Sequence, residues 1–264
     1  MKASDFELNG RNLSDFGMMI CVFGSKGLET VSNGANITFN TVPIQGGKKH
    51  EITSTLYEDC LEATIQICKA SCSKGIEEIT SSEFRELTKW LGRNKFLKFK
   101  LLDEDHMDLY YEAKFDISRI EIDGKLYGLE LQVVTNTPFA LKEPRKIIIE
   151  NTVKNGTHSI NDTSHEEGYI YPHTEITVSE NGNLNIYNAI EDRNTIIKNC
   201  VQGETITMDY PIIQSSISTH KIQNDFNWNF FRIANSYNNS RNDLTISLPC
   251  EIKMVYSPIV KVGL

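Results

Sequence analysis

From Leu97 to Val133 apolar residues fall on alternate positions. Leu97, Phe99 and Leu101 form one set, Leu109, Tyr111, Ala113, Phe115 and Ile117 a second, and Tyr127, Leu129, Leu131 and Val133 a third. Side chains alternate across a strand, so a period of two puts each set on one face of a sheet and excludes an amphipathic helix. Two polar breaks separate the sets. Residues 103–105 are all acidic, and Asp123-Gly124 is a pair that tolerates the positive φ of a two-residue hairpin. The stretch is therefore a β-meander whose apolar face needs a covering layer.

The same period appears upstream. Leu61, Ala63, Ile65 and Ile67 share a face, with Thr64, Gln66 and Cys68 on the other. A helix could also be drawn here, but Thr and Ile are stiff at χ1 and favour strand. Residues 6–22 predict two short strands around Asn9-Gly10. Ile37 and Phe39, alternating with Thr38 and Asn40, predict a half-buried strand in a glycine-punctuated run that ends at Gly47. One segment is helical. Thr80 and Glu83 have capping-box spacing, and Phe84, Leu87 and Leu91 follow as an apolar stripe that Trp90 widens. Gly92 stands where a C-terminal cap is expected, and the helix should lie across a sheet.

Residues 136–145 carry Pro138 and Pro144 and have no period, which predicts a boundary between domains 1–137 and 138–264. Beyond it asparagine becomes frequent and no amphipathic helix is visible. Strands are expected at 146–150, 169–172, 175–179, 184–187, 195–198, 205–209, 230–234, 244–248 and 252–256. Asn181-Gly182 should join two of them as a tight hairpin, and 151–168 reads as a long polar loop. Many short strands between regular turn signals mean a sandwich or barrel. The fold class is thus mostly β: an N-terminal β-meander or sandwich with one short helix, then a β-sandwich.

Charge and composition exclude several classes. A net charge of -8 argues against nucleic acid, which would need a concentrated basic patch. The basic stretches 95–100 and 142–146 are short and read as solvated strand edges. No run of about 18 apolar residues could cross a membrane. The first residues lack the apolar core of a secretory signal, so folding in a cytoplasm is expected. The Asn-X-Ser/Thr triplets at Asn12, Asn36, Asn155, Asn161 and Asn238 then carry no glycan meaning. Cys21, Cys60, Cys68, Cys72, Cys200 and Cys250 are too sparse for a disulfide scaffold, and nothing completes a zinc spacing around Cys68 and Cys72.

A search for catalytic chemistry nominates no catalytic, cofactor-binding or metal residue. The carboxylates of 103–105 and His106 would point to opposite faces of a strand and read better as a turn. His165-Glu166-Glu167 lacks the second histidine of a zinc hydrolase helix. Gly46-Gly47-Lys48-Lys49 is too short to cradle phosphates. No nucleophile elbow is present. One aromatic group, Phe226, Trp228, Phe230 and Phe231, admits two readings. Its alternation suits the core face of a strand, while an exposed Trp228 ring could stack on a sugar.

Three stretches resemble the distal tail proteins of long-tailed phages and prophages. The first is Phe6-Glu7-Leu8-Asn9-Gly10 followed by Phe16-Gly17. The second is Val42-Pro43-Ile44-Gln45-Gly46-Gly47 leading to Tyr57 and the strand at 61–67. The third runs from Tyr171-Pro172 and Leu184–Tyr187 to Asn242–Leu248 and Tyr256-Ser257-Pro258. The resemblance implies an N-terminal domain that closes a homo-hexameric ring continuing the tail tube, and a galectin-like C-terminal sandwich outside it. It implies a structural, non-enzymatic virion protein of the tail tip or baseplate, assembled in the host cytoplasm. Its partners would be the tail tube protein, the tail-hub protein and a receptor-binding protein, with no nucleic acid, membrane or cofactor. Strands 61–67 and 127–133 are the expected donors of the ring contact. His220 and its successors do not match the galectin His-x-Asn-x-Arg strand, so galectin-type sugar binding is not implied. The alternative reading is a carbohydrate-binding adhesion module acting through Trp228. A wall-degrading hydrolase is a third, with no residue to support it.

Overall fold

The structure, a computed structural model, describes residues 3–23, 37–57, 59–70, 77–104, 106–236 and 239–262. Cys72, Asp105 and the triplet asparagines Asn36 and Asn238 lie outside them, as does part of the glycine-punctuated run before Ile37. The chain divides into two compact units, Met1–Lys142 with Lys261–Leu264, and Glu143–Val260. Among the described residues no helix is long and apolar enough to cross a membrane.

The first unit contains β1 (Phe6–Leu8), β2 (Arg11–Asn12), β3 (Met18–Cys21), β4 (Ile37–Pro43), β5 (His50–Tyr57), β6 (Glu62–Lys69), α1 (Ser81–Leu91), β7 (Leu97–Leu101), β8 (Leu109–Ile122), β9 (Lys125–Thr135) and β10 (Ala140–Lys142). All pairings are antiparallel, in the order β2-β1-β7-β8-β9-β6-β3. The alternation read from the sequence is the burial pattern: Phe99, Tyr111, Phe115, Leu129, Leu131 and Val133 are all buried. Both expected hairpin turns form, with positive φ at Asn9-Gly10 and at Asp123-Gly124. Residues 6–22 hold more than the two expected strands, because a short 3-10 turn (Leu13–Phe16) redirects the chain into β3.

Helix α1 begins with the capping box expected of it. Thr80 Oγ1 accepts from the Glu83 amide, and the Glu83 carboxylate accepts from the Thr80 amide. Trp90 stacks between Phe6 and Phe16, with centroids at 5.6 and 4.5 Å, and donates its indole N–H to the Leu8 carbonyl. The helix is thereby locked onto the β1–β7–β8 face. Gly92 is the C-terminal cap expected of it: with a φ of -76° it donates its amide to the Thr88 carbonyl. A tighter constraint falls on Gly128 in β9. A Cβ there would stand 2.5 Å from the Phe23 ring and 2.8 Å from the Ile67 carbonyl. Gly128→Ala is therefore expected to destabilise the unit by about 1–3 kcal/mol, as overpacked sites do, read as a shifted midpoint in chemical denaturation.

The second unit contains β11 (Arg145–Asn151), β12 (Gly156–Asn161), β13 (Gly168–Ile170), β14 (His173–Val178), β15 (Gly182–Asn188), β16 (Arg193–Cys200), β17 (Thr205–Asp209), β18 (Ile212–Ser215), α2 (Ile222–Asp225), β19 (Ile233–Asn235), β20 (Arg241–Ile246) and β21 (Cys250–Tyr256). Two sheets, β11-β21-β14-β17-β18 and β12-β20-β15-β16, contribute to one apolar core, with Ile176, Ile206, Ile252 and Met254 from the first and Leu184, Ile186, Leu244 and Ile246 from the second. It is a β-sandwich. Frequent asparagine has an interior use: Asn242, fully buried, donates to the Ala234 and Ser240 carbonyls and accepts from the Ala234 amide and Asn188. Two expectations fail. Asn181-Gly182 joins no hairpin, because β14 and β15 belong to opposite sheets. The polar stretch 151–168 contains β12, paired along its length with β20.

The described cysteines are free, with Cys68, Cys200 and Cys250 buried and Cys21 and Cys60 partly so. Burial pushes the Cys250 thiol up to about 12, leaving it unreactive at neutral pH.

Candidate interaction surfaces

Of the two expected ring donors, β9 lies inside its sheet, and β6 is bordered on both sides only over Gln66–Cys68. Strand β9 is flanked by both β8 and β6 over Gly128–Val134. Strand β6 is flanked by β9 and, over Gln66–Lys69, by β3. The short strands β2 and β3 end the sheet order instead. Ile20 in β3 donates to the Ser4 carbonyl just ahead of β1, so the sheet curls until its two ends meet. Alternation reports a covered face, and carries no information about which strand is outermost.

What the first unit leaves open is the hairpin β4–β5. It forms its own two-stranded sheet, and apart from Thr38 and Tyr57 all its residues are exposed. Phe39, Ile52 and Leu56 are 55, 56 and 57% exposed. Cross-strand partners share a face, so Ile37 with Tyr57, Phe39 with Thr55, and Thr41 with Ile52 lie together. Thr38 with Leu56 and Val42 with Glu51 lie on the opposite face. A register shift after Asn40 carries Ile52 onto the Phe39 side. Both faces thus carry apolar side chains. At its base Tyr57 meets Phe139 edge to face at 4.8 Å, and at its tip Gly46, with φ +80°, turns the chain between Ile44 and Lys49. A lone two-stranded ribbon is marginal in water, and one that exposes this much apolar surface is built to be covered.

The second surface is the loop 226–230 of the sandwich. The sequence read Phe226, Trp228 and Phe230 as one strand face. The loop is not a strand: Phe226, Phe230 and Phe231 are buried, whereas Trp228 is 56% exposed and has a φ of +60°. Of the two readings open for Trp228, core packing is excluded. The asparagines of the loop pin it to β16. Asn227 Oδ1 accepts from the amides of Ile196 and Asn229, and the side chains of Asn227 and Asn229 both donate to the Asn194 carbonyl.

The remaining candidates resolve as structure. His106 closes a turn with Asp103 at 2.7 Å. The His165 amide donates to the Ile259 carbonyl, and among the described residues no cluster of His, Cys, Asp or Glu could hold a metal ion. His220, which the sequence set aside, is buried between Glu204 at 2.5 Å and Asp225 at 3.3 Å.

Comparison with known proteins places this architecture. Residues 1–137 match a family model described as a phage tail protein N-terminal domain, and residues 139–256 match a phage tail C-terminal domain. The chain belongs to this phage tail protein family. As a phage tail protein it is a component of the virion tail. The resemblance to distal tail proteins also holds for the fold. The crystal structure of the Dit protein of phage SPP1, described as a paradigm of the hub adsorption apparatus of phages infecting Gram-positive bacteria, superposes with a TM-score of 0.63. The match covers 97% of this tail protein and 99% of that chain at 11% identity. No curated protein matches the chain.

Proposed function

We propose that this protein is the ring-forming hub of a phage tail tip, joining the tail tube to the tail-hub and receptor-binding proteins through a homo-hexamer. The observation that carries this reading is the β4–β5 hairpin, apolar on both faces and uncovered within its own unit. An arm of one copy seated on the body of the next is a heterologous contact, which must close rotationally if it is not to grow into a fibre. The likeness to a hub protein supports closure into a ring. The proposed ring contact runs through the hairpin instead of through the strands 61–67 and 127–133. In this reading residues 1–137 build the ring, and 138–264 form a galectin-like domain hung outside it for attachment of host-recognition proteins. Nothing in the role calls for catalysis or a cofactor.

Light scattering on the full chain at tens of micromolar, with negative-stain microscopy, tests the proposal. A closed particle of about six subunits is expected; a strictly monomeric species overturns it.

A further inference from the structure

The second unit carries a chain of aromatic rings. Tyr169 meets Tyr171 at 5.5 Å, Tyr171 stacks on Tyr210 at 4.1 Å with planes 7° apart, and Tyr210 packs on Phe230 at 5.3 Å. Phe230 in turn contacts Trp228 at 6.5 Å, and Phe226 lies against both. Phe226 and Phe230 are buried and Tyr171 is partly so, yet Trp228 and Tyr210, which flank the same Phe230, are each 56% exposed, and Tyr169 beyond them is 55% exposed.

The arrangement holds its rings at a cost. A bulky residue in the left-handed region is strained by roughly 1–3 kcal/mol and persists only where surrounding structure imposes it. Four hydrogen bonds to and from the Asn227 and Asn229 side chains impose it here, and the strained conformation turns the indole out of the core. Folding gains little from an exposed tryptophan, so the strain is accounted for by what the ring meets outside. Polar groups border the strip. Arg193 Nε reaches the Phe230 carbonyl, and Arg232, paired in a fork with Glu191, lies over the Tyr169 ring at 3.7 Å. Rigid ring faces beside amide, guanidinium and carboxylate groups match a molecule with one apolar face and a hydroxylated rim.

We propose that Trp228 and Tyr210, extended by Tyr169, bind a neutral pyranose polysaccharide by stacking on successive sugar rings. This activity goes beyond the hub role and does not depend on it, since the site lies within one sandwich.

The test is a titration of the full-length protein with hexasaccharides of β-linked glucose, galactose and N-acetylglucosamine, read by tryptophan fluorescence. The chain has two tryptophans, and Trp90 is buried in the other unit, so a saturable change reports Trp228. At least one sugar is expected to bind, and Trp228→Asn and Tyr210→Ala should each weaken it about tenfold or more, measured by calorimetry. Asparagine tolerates the left-handed region, so Trp228→Asn should melt at or above the parent temperature. Binding by none of the three sugars, affinity unchanged in either variant, or a Trp228→Asn chain that loses several degrees along with binding overturns the proposal. A Trp228→Asn chain that binds sugar normally but releases another tail protein also overturns it, and makes the strip a protein-docking surface.

Discussion

Phe39, Ile52 and Leu56 replaced together by aspartate should turn the assembled protein into folded monomers. All three side chains are exposed within their own unit, so the substitutions remove almost no internal packing. Surface changes of this kind usually alter stability by less than about 0.5 kcal/mol each. In a ring the same positions are covered. Each lost apolar side chain then forfeits about 1.5–3 kcal/mol, and each introduced carboxylate must be desolvated as well. Phe39 and Ile52 share one face of the hairpin and Leu56 lies on the other, so partial variants show which face carries more of the contact. Threonine at the same positions keeps the strand preference and should weaken assembly in proportion. Light scattering gives the mass and circular dichroism verifies the fold. A triple variant that still assembles like the parent would show that the hairpin is not the contact.

The sequence announced local structure well because local structure has local causes. Thr80 and Glu83 cap a helix through bonds three residues apart, and Asn9-Gly10 and Asp123-Gly124 turn because both residues of each pair adopt positive φ. Asn181-Gly182 carries the same letters, but only Gly182 takes positive φ there, and the chain crosses from one sheet to the other. A dipeptide states what the backbone can do at a point and not which strand comes to lie alongside. Strand β12 was invisible because only Gly156 and Ile160 are buried in it; its ladder comes from β20, about eighty residues away in sequence.

The interaction surfaces were half legible for the same reason. Alternation of Ile37 and Phe39 with Thr38 and Asn40 marks a strand, and such a strand is normally half buried. Here the side chains alternate correctly, yet among the described residues no layer covers either face. Covering is a property of the whole fold and, in the proposed ring, of the assembly. At Trp228 the spacing suggested a core face, and the asparagine bonds that break the strand were unreadable because they run to β16, some thirty residues earlier. The spacing marked the tryptophan and left its orientation open between two readings.

Acid should weaken the sandwich through a buried carboxylate. Glu204 has no exposed side-chain surface. It accepts hydrogen bonds from the Val201 amide at 2.9 Å and from Ser215 Oγ and the His220 ring at 2.5 Å each, and Asp225 approaches the far side of that ring. Burial alone would push the Glu204 carboxyl up. The bonds from Ser215, His220 and Val201, with the charge of His220, outweigh it and hold the carboxyl below its ordinary value of 4.5. A group depressed on folding contributes stability that is complete above its unfolded value and is lost as pH falls through the folded one. The sandwich should therefore keep this contribution at neutral pH and lose it progressively below about pH 4.5. Glu204→Gln should flatten that acid limb. Glu204→Ala should do more harm at every pH, by about 3–5 kcal/mol, because it strands a buried amide, a hydroxyl and an imidazole with no acceptor. Domains are stable by only about 5–15 kcal/mol, so the alanine variant is expected to sit near unfolding at 37 °C. Urea midpoints of the parent and both variants between pH 3 and 7 decide it: parallel pH profiles for the parent and Glu204→Gln would show that the acid sensitivity lies elsewhere.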